Sequence, residues 1–167
     1  MEYQVRKAGS EDFSQILKLY ENARAFMASR GNPHQWGKTE PRAGQLQDYL
    51  RDGDLYVLET ETGIHGSFFF RMGPDPTYAL IRQGSWMWDA PYGVIHCVAG
   101  DGSGGTLQAV VSFAEKQAEY LRIDTHRQNF PMQKALKRAG FLYQGIIFTA
   151  RGEERLAYAR RKAIDNP

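Results

Sequence analysis

VIHCVAGDGSGGTLQAVVSFAEKQAEYLRID, residues 94–124, is the stretch whose reading decides the fold. Val94–Val98 is a compact run with β-branched positions, as a buried strand requires. Gly100-Asp101-Gly102-Ser103-Gly104-Gly105 follows, with four glycines in six residues. Leu107, Val110, Val111, Ala114 and Ala118 recur at helical spacing and predict a helix of three or more turns. Leu121–Asp124 returns to strand, which completes a βαβ unit. A glycine turn in this position exposes backbone N–H groups with no Cβ in the way, and the helix N-terminus adds partial positive charge. The unit therefore predicts an anion site of the phosphate type, a flexible loop being the plain alternative.

Gly100, Gly102 and Gly105 formally satisfy G-x-G-x-x-G, and Asp124 lies about twenty residues on, where a dinucleotide fold keeps its ribose-binding acid. A dinucleotide-binding enzyme is thus one reading of the Gly100–Gly105 turn. Topology argues against it, because the chain after Asp124 is short and reads helix–strand–strand, while the chain before Val94 reads as hairpins. No Gly-Lys-Ser/Thr follows the glycines, so a nucleoside-triphosphate loop is excluded.

On the N-terminal side, Tyr3–Lys7 alternates as a short strand, and Gly9-Ser10-Glu11-Asp12 reads as a helix start with Ser10 as cap. Phe13, Ile16, Leu17, Tyr20, Ala23 and Met27 form one helical face that Gly31-Asn32-Pro33 stops. His34–Pro41 is a polar loop, Ala43–Leu50 a short helix, and Leu55–Thr60 with Ile64–Arg71 a hairpin. Gly73-Pro74-Asp75-Pro76 is a turn, and residues 77–92 fit no regular pattern. On the C-terminal side, Asn129 caps a helix through Met132, Ala135, Leu136 and Ala139, ended by Gly140; strands at Phe141–Phe148 and Arg155–Arg160 follow. The 167 residues carry no repeat or linker and predict one domain over 1–167.

The net charge of +2 is a near-balance, which argues against a nucleic-acid partner. No apolar run reaches the ~20 residues of a membrane span, and Met1–Lys7 has no signal-peptide core, so a cytoplasmic protein without a membrane partner is expected. One cysteine, Cys97, excludes a disulfide framework, and four histidines without H-x-x-H spacing argue against a metal.

The whole order of elements resembles the GNAT acetyltransferase superfamily. Its pyrophosphate motif, Q/R-x-x-G-x-G/A, aligns with Gly102-Ser103-Gly104-Gly105-Thr106-Leu107: Gly105 keeps the first glycine, Gly102 replaces the leading Gln/Arg, and Leu107 replaces the second glycine. Asn129, Met132, Leu136 and Gly140-Phe141 keep the spacing of the family's N-x-x-A-x-x-x-Y-x-x-x-G-F segment. Ile123-Asp124-Thr125-His126, Tyr143–Ile147 and Gln35-Trp36-Gly37 look like an uncharacterised bacterial subgroup. The resemblance implies an α+β fold: a mixed, mostly antiparallel sheet of about six or seven strands with about four helices. It also implies acetyl-CoA in an opening between the strands at Val94–Val98 and Leu121–Asp124. Its pyrophosphate would lie on the amides of residues 102–107, and Asn129 and Met132 would line the donor side. The acetyl group would pass to an amine of a small molecule or peptide, and a homodimer is among the assemblies implied.

Direct transfer needs a neutral amine, a donor to the thioester oxygen and a proton for the leaving thiolate. The resemblance makes the Val98 backbone N–H that donor. It puts Leu136 where the family's acidic tyrosine stands, with Tyr143 as a substitute. His96, two residues before Val98 on a strand and so on the same face, is the candidate base; a hydrogen-bonded core histidine is the alternative. Asp124 and His126 end the neighbouring strand, whereas His34 and His65 read as solvated bystanders. Cys97 could carry an acyl group, but its apolar strand points to a buried thiol. The acceptor side is expected from Gln35, Trp36, Trp86, Trp88 and Tyr92, whose rings could cage an alkylammonium. The eroded glycine motif and Leu136 leave a second reading open, an acyl-CoA-binding or sensing module with weak catalysis.

Overall fold

The computed structural model describes residues 2–164. In chain order the elements are β1 (Gln4–Lys7), α1 (Phe13–Ser29), α2 (Ala43–Asp52), β2 (Leu55–Thr60), β3 (Gly63–Met72), β4 (Gly93–Gly100), α3 (Thr106–Ala114), β5 (Tyr120–Thr125), α4 (Phe130–Arg138), β6 (Leu142–Phe148) and β7 (Glu154–Arg161). The strands form one sheet in the order β1-β2-β3-β4-β5-β7-β6, antiparallel everywhere except at β4–β5. A single parallel pair is not the parallel sheet that a dinucleotide fold requires, so topology overturns the G-x-G-x-x-G reading. Among the described residues no helix is long and apolar enough to cross a membrane.

Helices cover both faces. On one face, α3 and α4 pack Leu107, Val110, Val111 and Leu136 onto Leu58, Phe68, Phe70, Ile95, Leu121 and Ile123. Phe113 of α3 sits among Tyr56, Phe68 and Phe70 at ring separations of 4.7, 5.7 and 5.8 Å, in tilted or edge-on geometries that favour aromatic pairs. On the other face, α1 and α2 bury Ile16, Leu19, Tyr20, Ala23 and Leu46 against Leu55, Val57 and Ala99. The irregular segment 73–92 covers the remainder, with Tyr78 buried beside Phe69, Val94, Ile147 and Ala157.

The expected helix ends hold at Asn129, whose Oδ1 accepts from the Met132 N–H at 3.2 Å, and at Gly140, with φ +83°. At the first helix the cap differs. Ser10–Asp12 is a 3-10 turn with Gly9 at the cap position; Asp12, inside the turn, reaches back to accept from the Gly9 N–H at 2.7 Å while also holding Arg6, so Ser10 is not the cap. Helix α3 is shorter than predicted. The Lys116 and Gln117 amides reach back only three residues, to Phe113 and Ala114, which tightens the last turn; Ala118 still reaches the core from beyond the helix.

Candidate active site

The parallel strands β4 and β5 pair only at Gly93–Leu121 and Val94–Arg122. Beyond that point β4 stays with β3 and β5 with β7, so the sheet opens between His96–Gly100 and Ile123–Thr125. Parallel strands end on the same edge, and the N-termini of α3 and α4 follow both ends, where open mixed sheets hold ligands. A cleft of about 410 Å³ enters this gap, lined by Val98, Ile123, Thr125, Asn129 and Met132. His96, Asp75, Asp124, Tyr49 and Trp36 line it on the α1–α2 side.

A β-bulge shapes the β4 side. Phe69 pairs with His96 and Ser67 with Ala99, so two steps on β3 match three on β4, and Cys97 takes φ +55°. Cys97 and Val98 have no register partner in either neighbouring strand. The Cys97 carbonyl is held by the Tyr20 hydroxyl at 2.6 Å. The extra residue breaks the two-residue alternation and corrects the expectation that His96 and Val98 share a face. His96 meets Phe69 and Tyr78 under α2, whereas Val98 packs with the α3 cluster, and both reach the cleft because the sheet is open there. Burial, with Asp124 and Glu40 adding to it, pushes the Cys97 thiol up to about 12, so it stays protonated and unreactive at neutral pH.

His96 is three-quarters buried and lies between two carboxylates. Its Nε2 is 2.7 Å from Asp75 Oδ2, and its Nδ1 is 3.6 Å from Asp124 Oδ2, which also accepts from the Tyr78 hydroxyl at 2.7 Å. Burial alone would push the imidazole down, but the Asp75 hydrogen bond and the charges of Asp124 and Asp75 outweigh it. They hold His96 above its ordinary value of 6.5. Asp75 also feels burial, yet hydrogen bonds from His96 and Thr77 hold its carboxyl at about 2.

The glycine turn is braced from outside. Gly102, Gly104 and Gly105 have φ of +88°, +91° and +72°, and among the described residues no side chain caps α3. A Cβ on Gly102 or Gly104 would meet nothing within 4 Å, so the turn faces open space. The Tyr3 hydroxyl donates to the Gly104 carbonyl at 2.6 Å, and Asp101 accepts from the Ser103 N–H at 3.0 Å. His65 Nδ1 lies 2.7 Å from Asp101 Oδ2 while Nε2 meets Thr60 and Thr62, so His65 is a brace and not the bystander expected from sequence. If this brace shapes the amide cradle, Asp101→Ala should weaken diphosphate-ligand affinity by about tenfold with catalysis otherwise intact, on the scale of one charge-assisted hydrogen bond. Equal CoA affinities of variant and parent in a calorimetric titration would contradict it.

The acceptor side is partly as expected. Trp36 lines the cleft and packs on Tyr20 at 5.6 Å. Gln35 also lines it; its Oε1 accepts from Asn32 Nδ2 at 3.0 Å and Asn129 Nδ2 at 2.9 Å, which ties the α1–α2 loop to the start of α4. Asn129 therefore spends both side-chain polar atoms inside the chain, while Met132 presents its side chain to the cleft. Trp86, Trp88 and Tyr92 do not line the cleft, which corrects their assignment to the acceptor site. The Arg122 guanidinium lies 4.0 Å from the Trp86 ring centroid and 3.8 Å from that of Tyr92, and donates to the Trp88 carbonyl at 3.0 Å. The expected cation cage is filled by the chain's own buried arginine, which among the described residues has no carboxylate bonded to it and needs the ring faces. Tyr143 is likewise away from the cleft, half-exposed on β6 and edge-on to Tyr158 at 5.8 Å. Leu136 is fully buried.

Sequence reasoning missed Asp75, Tyr78 and Tyr49. Asp75 looked like a turn residue because it is one, its Oδ1 accepting from the Thr77 N–H and hydroxyl at 2.9 and 2.6 Å. Only its second oxygen reaches His96, and no local spacing announces a partner 21 residues away. Glu40 and Arg151 were missed too; their ion pair joins the α1–α2 loop to the β6–β7 turn across the cleft.

Neither a protein-family model nor a curated protein matches the chain. Solved structures do. An acetyltransferase of the GNAT family from Streptococcus agalactiae 2603 aligns at TM-score 0.85 and 28% identity, over 97% of this chain and 96% of that one. An acetyltransferase of the same family from Listeria monocytogenes aligns at TM-score 0.71 and 18% identity, over 97% and 96%. A GNAT-superfamily phosphinothricin acetyltransferase from Sinorhizobium meliloti, solved with AcCoA, aligns at TM-score 0.62 and 16% identity, over 96% and 89%.

Proposed function

The chain belongs to the GNAT superfamily of acetyltransferases, and from that premise we propose that it transfers the acetyl group of acetyl-CoA to a primary amine of a small molecule or peptide. The observation that carries this reading is the open β4–β5 gap, with an unpartnered Val98 on the β4 wall and the His96 network on the opposite face of the sheet. The donor fits what the chain offers: three left-handed glycines and a helix without a side-chain cap suit a diphosphate, and the gap takes a narrow arm between two strands. When bound, acetyl-CoA supplies an acetyl thioester whose C–S bond breaks as the C–N bond to the amine forms, the electron pair leaving with sulfur.

The chain's own groups do the rest. The Val98 N–H, outside the strand register, stabilises the negative charge that gathers on the thioester oxygen. His96 is the base: Nδ1 takes the amine proton, and Asp75 and Asp124 stabilise the imidazolium. With Leu136 buried and Tyr143 remote, the imidazolium is also the group that returns this proton to the departing sulfur. Trp36 and Met27 offer the acceptor an apolar flank, while the lining carboxylates Glu40 and Glu153 are paired with Arg151 and Arg155. Reliance on acetyl-CoA assigns the protein to the cytoplasm. The alternative of a sensing module draws support from Leu136, which removes the family's usual acid.

The donor assignment is tested by calorimetric titration. Saturable binding of acetyl-CoA is expected, with dephosphorylated and truncated analogues weaker. No heat of binding at high micromolar ligand would overturn it.

A further inference from the structure

We infer that Asp75 is a positioning residue that fixes which ring nitrogen of His96 takes the substrate proton; this rests on His96 being the base. Asp75 lies in the segment between β3 and β4 and is locked on every side. Its Oδ1 accepts from Thr77, its backbone N–H donates to the Tyr92 hydroxyl at 3.0 Å, and its Oδ2 meets His96 Nε2 at 2.7 Å. An ionised carboxylate can only accept, so Nε2 must carry the hydrogen. In the neutral ring Nδ1 is then the bare nitrogen. Among the described residues it makes no hydrogen bond of its own, standing 3.6 Å from an Asp124 oxygen already occupied by the Tyr78 hydroxyl. Thus Asp75 prepares the base, and Asp124, held by Tyr78, steadies the charge once the proton arrives.

The groups that face the imidazole set its titration. Asp75 and Tyr78 come from the segment before β4 and Asp124 from β5. Phe69 of β3 covers the ring at 5.4 Å, and Tyr49 of α2 packs on Phe69 at 4.5 Å. The nearby Arg71 is engaged by Asp54 at 2.6 Å. The two carboxylates therefore dominate, and the bare nitrogen is more basic than that of a solvated histidine.

Asp75→Asn is the test. The asparagine oxygen can still accept from Thr77, but its amide can only donate toward Nε2, which moves the ring hydrogen to Nδ1. In the intact enzyme kcat should fall by roughly 10²–10⁴-fold, as when an orienting aspartate is lost from a histidine base, with KM for acetyl-CoA and amine little changed. The rising limb of the pH–rate profile should move down by a pH unit or more. Nitrogen-15 chemical shifts of His96 should report the Nε2–H tautomer in the parent protein and Nδ1–H in the variant. Unchanged kcat and limb in the variant, or Nδ1–H in the parent, would overturn the inference. If the variant does not fold, the parent tautomer still decides. Full turnover by His96→Gln would instead refute the base assignment and leave the tautomer result standing.

Discussion

His96→Gln is expected to cut kcat by about 10²–10⁴-fold, the span general-base groups contribute, while acetyl-CoA binds as before. The larger diagnostic is the pH profile. A base acts when deprotonated, and His96 is held above 6.5 by Asp75 and Asp124 despite burial, so activity should rise with pH through a limb above 6.5. In the variant that limb should vanish and leave only the titration of the amine. The same elevation has a sign for stability. A histidine whose folded pKa is raised contributes stability that is fully present below its unfolded pKa and is lost as pH rises through the folded value. The variant should therefore lose its stability deficit relative to the parent as pH rises. An unaltered pH–rate profile in His96→Gln would remove His96 as base.

Gly105→Val should have the largest effect on donor binding. Gly105 is the N-cap of α3 at φ +72°, a conformation that a β-branched residue adopts at a cost of about 1–2 kcal/mol. Space is not the obstacle, because a Cβ there would meet only the Tyr3 ring at 3.8 Å. The strain is relieved by rotating the peptides on either side, which turns their N–H groups away from the cradle. Loss of two such hydrogen bonds to a charged ligand predicts a fall in acetyl-CoA affinity of about 10²-fold, with Tm lower by only a few degrees. If Gly105→Val binds acetyl-CoA as tightly as the parent, the diphosphate lies elsewhere.

Local signals made much of the fold legible. Asn129 and Gly140 mark the ends of α4 because a cap and a left-handed stop are properties of single residues. The change of period at Gly100–Gly105 marks the βαβ unit, whereas the opening between β4 and β5 was implied only by the family resemblance. The site was legible only where it depended on such signals. The bulge at Cys97 was not, since an ordinary residue takes the positive φ and no glycine advertises it. That one insertion moved His96 and Val98 to opposite faces. Trp86, Trp88 and Tyr92 read as rings for an acceptor cation, but the rings of Trp86 and Tyr92 are taken by Arg122, which reads in sequence as a polar residue inside a strand. Asp75 and His65 escaped for a common reason: each acts through a contact to a segment distant in sequence, Asp75 on His96 and His65 on Asp101. Periodicity and capping carry no information about which polar residues meet across a sheet.

Amine-dependent cleavage of the thioester tests the central claim most directly. The protein is incubated with acetyl-CoA and a panel of primary amines of varied charge and apolar content, and free CoA and acetylated amine are quantified together by mass spectrometry. One or more amines should yield both products in equal amounts, with acceptors carrying an apolar flank the best. Saturable binding of acetyl-CoA with no amine-dependent release of CoA across the panel would contradict the account and leave a sensing module.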